Sequence, residues 1–320
     1  MRDFRFFILF SLMFIADARA DDRKPDISLT RDVVFETIDG VDVKLDLAVP
    51  PGAGPFPLIL CIHGGAWHVG DKSKFTQMIE NMARRDYVAA SINYRLAPKV
   101  QFPAPLDDTK AALFFLKKAA WRYKIDVNRI GGTGESAGST MAMLMAFTDA
   151  QAAKGKDAAP LSGTRLQAIV NYYAPVDLTQ GGVSPMIDFM WREKFHEGME
   201  AMMLKFLRSE TRDDEKVKAA SPINYITKNC PPVLTFHGTL DPVVPFHQAE
   251  LLHLALQKAG VPQKLVPIEN GMHGGWPLEA KRRADEETMA FFDKYLKGKS
   301  DVRPEARAAS PEGNASAVQR

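Results

Sequence analysis

Apolar and polar residues follow one another along this chain in two rhythms, one of period two and one of helical period, and the two take turns. Val33–Ile38 and Val43–Val49 are predicted strands, the second with Val43, Leu45, Leu47 and Val49 set against Lys44 and Asp46. Between them Asp39-Gly40 is a strong pair for a tight hairpin turn. Pro-rich Pro50–Pro57 leads into Leu58–Ile62, an unbroken apolar run that suits a strand covered on both faces. Further strands are predicted at Tyr87–Ile92, Arg129–Gly132, Leu166–Tyr172, Val233–Phe236 and Lys264–Ile268. Helical spacing appears at Phe75–Arg85, Leu106–Ala120, Ala137–Phe147, Phe246–Ala259 and Glu279–Leu296.

Strands that alternate with helices imply an α/β architecture, a largely parallel sheet with helices on both faces. The early hairpin adds an antiparallel edge. Residues 176–229 break the alternation, because they contain no strand pattern and read as mostly helical, an insertion between two strands. Residues 299–320 are rich in Ala, Pro, Glu and Ser with little to bury, the composition of a disordered tail. No internal repeat is visible.

Composition narrows the picture. The chain is 46% hydrophobic and 25% charged, ordinary for a globular protein. Residues 1–20 have the grammar of a secretory signal: Arg2 and Arg5, an apolar run from Phe6 to Ile15, then Ala18-Arg19-Ala20 as a small-x-small cleavage site. That run is too short to span a bilayer. The expectation is a secreted or periplasmic domain at 21–298, with no membrane association after cleavage. Of the formal charge of +2, this segment carries +1 (three Arg against two Asp), which leaves +1 on the remainder. So small a charge does not point to nucleic acid as a partner.

The chemistry concentrates in four places. Gly134-Glu135-Ser136-Ala137-Gly138 lies between a predicted strand and a predicted helix and matches the nucleophile elbow Gly-x-Ser-x-Gly. A serine in so sharp a turn crowds its neighbours, and glycines two residues to either side remove the Cβ atoms that would clash. Its hydroxyl then stands above the start of the helix, whose amide dipoles favour a developing negative charge. Those five residues alone fit a plain Gly-rich turn equally well. His63-Gly64-Gly65-Ala66-Trp67 directly follows the Leu58–Ile62 strand, where this kind of sheet places a second oxyanion donor. A serine hydroxyl needs a base, and the base an orienting carboxylate. In the chain order Ser, acid, His, the candidates are Asp241 in His237-Gly238-Thr239-Leu240-Asp241-Pro242 and His273 in Asn270-Gly271-Met272-His273-Gly274-Gly275. Both follow strands, at the carboxyl ends where open α/β sheets bind ligands.

Competing residues have plainer readings. His237 suits a structural hydrogen bond, and His68, His196, His247 and His253 suit packing or surface positions. Asp177 is the runner-up acid, Asp107 and Asp108 resemble helix-start carboxylates, and Glu135 a structural carboxylate beside the elbow. No His-Glu-x-x-His, paired-cysteine zinc spacing or acidic calcium loop occurs, so neither a metal nor a cofactor is expected.

With these residues in view, the chain resembles the esterase/lipase branch of the α/β-hydrolases, in particular bacterial feruloyl-esterase-like (BD-FAE) proteins and the hormone-sensitive-lipase family. The likeness runs from about residue 33 to 297 and includes Asn93-Tyr94-Arg95-Leu96-Ala97-Pro98, Phe102-Pro103-Ala104-Pro105-Leu106-Asp107-Asp108 and Asp241-Pro242-Val243-Val244-Pro245. The resemblance implies an α/β-hydrolase fold, with an eight-stranded sheet in the order 1-2-4-3-5-6-7-8 and a helical cap at about 176–229. It places a triad at Ser136, Asp241 and His273, with oxyanion donors from the backbone of Gly65, Ala66 and Ala137. Two departures stand out: Ala66, where lipase relatives often have Gly, and Ser139-Thr140, where feruloyl-type relatives often have Gly-His. In that strand order Cys61 and Cys230 belong to strands three positions apart, roughly 14 Å at ~4.8 Å per neighbour, beyond the ~7 Å reach of a disulfide. Two free thiols are expected.

The function expected is a carboxylic ester hydrolase acting by acyl transfer on small or medium esters, including acyl or feruloyl esters of plant polysaccharide. Met190 and Trp191 in the cap, and Trp67 beside the oxyanion loop, are candidate pocket residues, each with packing as the plainer alternative. Two rivals remain. A peptidase of prolyl-oligopeptidase type shares the sheet and triad order but usually carries a propeller, for which this length leaves no room. A non-catalytic binding protein could keep the fold without the chemistry.

Overall fold

The computed structural model describes residues 26–152, 163, 165–180 and 189–298, with backbone alone at 152 and 189–197. The signal-like segment, the tail, and the side chains of Met190 and Trp191 lie outside the described residues. One eight-stranded sheet organises the domain, in the order β1-β2-β4-β3-β5-β6-β7-β8. The strands are β1 (Ser28–Ile38), β2 (Val41–Val49), β3 (Phe56–Ile62), β4 (Val88–Ile92), β5 (Ile125–Glu135), β6 (Ala168–Tyr172), β7 (Val233–Gly238) and β8 (Gln263–Ile268). β1 and β2 pair antiparallel and β2 joins β4 antiparallel; every later pairing is parallel. The first turn has φ of +52° at Asp39 and +75° at Gly40, the two left-handed residues a tight hairpin needs.

Pleating sorts β3 between two cores. Leu58, Leu60 and Ile62 enter one layer with α2 (Ala104–Lys118), α4 (Ala137–Ala152) and α7 (His247–Lys258). Ile59 and Cys61 enter the other, with α1 (Thr76–Ala83) and α8 (Leu278–Lys297). Both faces of the central strands are therefore covered, which is why their sequences are apolar without alternation. The helix after the elbow, α4, buries Met141, Met143, Leu144, Met145 and Phe147. A helix buried on nearly all sides has no polar stripe to show.

β5 starts earlier than its pattern predicts. Pro57 pairs with Asp126 and Leu58 with Ile130, so Val127, Asn128 and Arg129 bulge out of the ladder. Asp126 holds the bulge by accepting from the Asn128 N–H at 2.9 Å and from Arg129 Nε at 2.7 Å. Asp108, expected to serve a helix start, instead receives Arg95 bidentately, with Nη2 to Oδ1 at 2.8 Å and Nε to Oδ2 at 2.9 Å. Between β6 and β7 the described residues form α5 (Phe189–Leu207), α6 (Glu215–Ala219) and a single 3-10 turn at Pro222–Tyr225, with no strand among them. A short α3 (Ala120–Tyr123) precedes β5. Cys61 and Cys230 are both free and buried. Among the described residues no helix is long and apolar enough to cross a membrane.

Candidate active site

β5 ends at Glu135 and α4 begins at Ala137, so Ser136 occupies the turn alone, with φ of +50°. Such a backbone costs an L-residue on the order of 1–3 kcal/mol and persists only where its surroundings hold it. Here the Ser136 N–H donates to the Tyr172 carbonyl at 2.8 Å and its own carbonyl accepts from the Thr140 N–H at 3.1 Å. The flanking glycines are required by space. A Cβ on Gly138 would lie 2.1 Å from the Ile62 carbonyl oxygen, and one on Gly134 would lie 2.7 Å from the same atom. Ser139 and Thr140 brace the turn. The Ser139 hydroxyl donates to the Gly134 carbonyl and accepts from the Tyr172 N–H, while Thr140 Oγ1 donates to the Pro175 carbonyl at 2.8 Å.

After β3 the chain turns left-handed for three residues in succession, with φ of +120° at Gly65, +49° at Ala66 and +62° at Trp67. Only glycine fits the first, because a Cβ on Gly65 would lie 1.9 Å from the Val69 carbonyl oxygen. The Gly65 carbonyl accepts from His68 N–H at 3.0 Å and Val69 N–H at 3.1 Å, closing the loop on itself. His63 anchors its base. Its Nδ1 lies 2.8 Å from the Gly64 carbonyl, which can only accept, so Nδ1 carries the proton. The His63 ring stacks on Tyr94 at 4.3 Å, and the Tyr94 hydroxyl donates to the His63 carbonyl at 2.9 Å. Burial lowers the His63 imidazole below its ordinary value, which keeps the ring neutral.

On the other side, β7 delivers Asp241 and β8 delivers His273. Asp241 Oδ1 accepts from the N–H groups of Val243 and Val244 at 2.8 and 2.9 Å. Its Oδ2 lies 2.7 Å from His273 Nδ1 and 3.4 Å from His237 Nε2. Burial alone would raise this carboxyl, but hydrogen bonds from His237 and His273 outweigh it and hold the group at about 2. His237 also places Nε2 2.7 Å from the Val244 carbonyl, the structural bond its position suggests.

Tyr173 was not legible as a site residue, and it ties the two sides together. Its backbone is left-handed at φ +44°. Its ring stands edge-on to His273 at 4.6 Å and to Trp276 at 5.4 Å. Its phenol and the carboxyl of Glu135, the residue before Ser136, interact electrostatically. A Cβ on Gly274 would lie 2.7 Å from that hydroxyl, so the glycine after His273 lets the histidine loop close against Tyr173. Burial pushes the Glu135 carboxyl upward, against the pull of Lys74, Tyr173, His273 and Lys281.

Ser136, Ala137, Ala66 and Trp67 line one cleft of about 750 Å³, open solvent included. Gly65, Asp241 and His273 are not on its wall, though Val243, Val244 and Pro245 of the aspartate loop are. Asp177 also lines the cleft, with its Oδ1 accepting from Thr179 N at 3.1 Å and Thr179 Oγ1 at 2.5 Å. The cap contributes Met199, Glu200, Met203 and Arg212. Arg212 Nε donates to Glu200 Oε1 at 2.7 Å and Nη1 to the Leu178 carbonyl at 2.8 Å. Neither Glu200 nor Arg212 carried a motif that would have revealed it, whereas Asp177 stood out in sequence only as the runner-up acid.

The family model described as BD-FAE matches residues 45–256. Esterase LipQ of Mycobacterium tuberculosis (strain ATCC 25618 / H37Rv) is 32% identical over 229 residues, which are 69% of this chain and 51% of that protein. The chain thus spans about half the length of the first curated relatives it matches. Among solved structures, the butyrate-bound thermophilic esterase Est2 of Thermogutta terrifontis superposes with a TM-score of 0.67 at 25% identity, over 87% of this chain and 98% of that one. A truncated carbohydrate esterase from gut microbiota shares the fold, with a TM-score of 0.69 at 22% identity over 86% and 98% of the two chains.

Proposed function

The chain belongs to the BD-FAE family, within the α/β-hydrolase fold, and on that premise we propose that it is a serine-dependent carboxylic ester hydrolase. The observation that carries this reading is Ser136 held left-handed between β5 and α4, with Asp241 bonded to His273 beyond the neighbouring strand ends. His273, its Nδ1–H donating to the Asp241 carboxylate, offers Nε2 as the base. It takes the proton from Ser136 Oγ as that oxygen bonds to the ester carbonyl carbon. The charge that develops on the carbonyl oxygen is received by the N–H groups of Ala66 and Ala137, with Gly65 shaping the loop that presents them. Asp241, ionised at any pH above about 2, stabilises the imidazolium. His273 then protonates the leaving alcohol, and water releases the acyl group by the same route.

The substrates proposed are esters of small or medium acyl groups, including acyl or feruloyl groups carried on plant polysaccharide. Trp67, Leu178, Met199 and Met203 give the cleft apolar surface. Activity on p-nitrophenyl esters of rising acyl length tests the reading. Ser136→Ala is expected to lower kcat by on the order of 10⁶ while the fold persists in circular dichroism. Ester cleavage that survives this substitution would remove Ser136 from the mechanism. Export is proposed as well, supported by the charged, apolar and small-residue pattern of residues 1–20. The exported protein is then expected to begin at Asp21 on N-terminal sequencing.

A further inference from the structure

Two residues that carry a Cβ, Ala66 and Trp67, hold left-handed backbone side by side, at φ +49° and +62°. For a residue as bulky as Trp this is a genuine outlier, and something must over-determine it. The loop's own hydrogen bonds reach the Gly65 carbonyl and, from His68 Nδ1 at 2.8 Å, the Ala66 carbonyl, but not the carbonyl or the indole of Trp67. Trp67 is held at two other points. Its carbonyl accepts from the Ala97 N–H at 2.9 Å. Its indole, 5% exposed, lies flat on the ring of Phe206, with centroids 4.8 Å apart and planes within 8°.

Phe206 belongs to the last turn of α5, in the cap, and is itself fixed. Its carbonyl accepts from the Phe102 N–H at 3.1 Å, and the Phe102 ring meets it edge-on at 6.2 Å. Two residues further on, Arg208 donates to Gln101 Oε1 through Nε at 2.9 Å and Nη2 at 2.6 Å. The segment that holds the Trp67 carbonyl, at Ala97, thus runs on into the segment that holds the cap, at Gln101 and Phe102. Trp67 sits in a clamp closed by Phe206. Phe206 itself is 2% exposed and does not line the cleft.

We propose that Phe206 is a positioning residue for the oxyanion loop: by stacking on Trp67 it holds the left-handed turn, and so aims the Ala66 amide at the developing charge. This rests on the esterase reading above. The cap then does more than cover the substrate, because one of its side chains sets the geometry of the catalytic donor. Without the flat partner, Ala66 and Trp67 relax toward ordinary backbone and the amide turns away. The ground-state ester, which presses little charge on that amide, binds as before.

The test is Phe206→Leu, which keeps apolar volume and loses the flat face, beside Phe206→Tyr, which keeps the ring. With p-nitrophenyl butyrate, Phe206→Leu is expected to lower kcat about tenfold with KM within twofold, short of the ~10²–10³ that losing a donor outright costs. Binding of a trifluoromethyl ketone, whose adduct with Ser136 presents an oxyanion, should weaken by the same factor. Phe206→Tyr should restore kcat to within twofold of wild type. Should Phe206→Leu not fold, Phe206→Met carries the same expectation. Unchanged kcat with a lowered melting temperature, or a raised KM alone, would reduce Phe206 to packing and overturn the proposal while the esterase reading stands. Wild type without Ser136-dependent cleavage would overturn both.

Discussion

On one side of Ser136, Asp241 is fixed by short hydrogen bonds from groups close in sequence, and His273 is fixed by Asp241. Val243 and Val244 hold one carboxylate oxygen, and His273 lies 2.7 Å from the other. On the opposite side, Ala66 and Trp67 occupy left-handed backbone that their own residue types disfavour, and besides the loop's own bonds distant groups keep them there: Ala97, Phe206 and, beneath them, Tyr94 stacked on His63. The acid–base side is built by local motif and charge. The oxyanion side is built by strain and tertiary contact. The two should therefore fail in different ways, the first through charge and tautomer and the second through shape.

Paired substitutions exploit that difference. Asp241→Asn keeps an oxygen for the Val243 and Val244 amides, so the loop is expected to persist. The amide cannot fix the His273 tautomer or offset its positive charge, and kcat is expected to fall about 10⁴-fold, the loss that follows when a triad aspartate becomes its amide. A fall of less than tenfold would mean that another carboxylate, such as Glu135 through Tyr173, orients the histidine. On the other side, Gly65→Ala drives a Cβ toward the Val69 carbonyl at 1.9 Å and forbids φ +120°. The loop must move, and the expected loss is ~10²–10³ in kcat, the scale of one oxyanion donor. A variant within tenfold of wild type would show that the loop tolerates reshaping and would weaken the contrast.

The same contrast decides what could be read from the chain alone. The hairpin and the helices on each face follow from apolar periodicity, because burial on one or two faces writes itself directly into sequence, whereas the order of the strands followed only from the family resemblance. The elbow and the two loops after β7 and β8 were legible for a related reason, since their glycines and Asp241-Pro242 answer local backbone needs. Contacts between distant segments left no such trace. Asp108 reads as a helix-start carboxylate until the fold brings Arg95 onto it. The polar bulge at Val127–Arg129 hides the first half of β5. Tyr173 gave no signal beyond an aromatic residue after a strand, and the stack of Trp67 on Phe206 joins two segments that no spacing rule connects.

Acid separates the two sides by a smaller effect, in stability rather than rate. Burial lowers the imidazoles of His63, beneath the oxyanion loop, and of His253 on α7. Unfolded, each binds a proton as the pH falls through about 6.5, whereas folded, each stays neutral to lower pH. The unfolded chain then binds more protons, so stability falls as pH drops through that window. Asp241 acts elsewhere. Its folded value of about 2 lies below the unfolded ~3.9, so the stability it contributes is complete above that range and is lost only as pH falls toward 2. Glu135, Asp107 and Asp285 are raised by burial and push the other way. Between pH 7 and 5.5 the unfolded histidines take up their protons, and the melting temperature is expected to fall across that interval. A flat or rising profile would contradict the neutral, buried His63. His63→Phe keeps a ring on Tyr94 and removes the titration, so its profile should be shallower than wild type. An unchanged slope would assign the acid sensitivity to His253 and leave the oxyanion side as insensitive to pH as the Asp241 side.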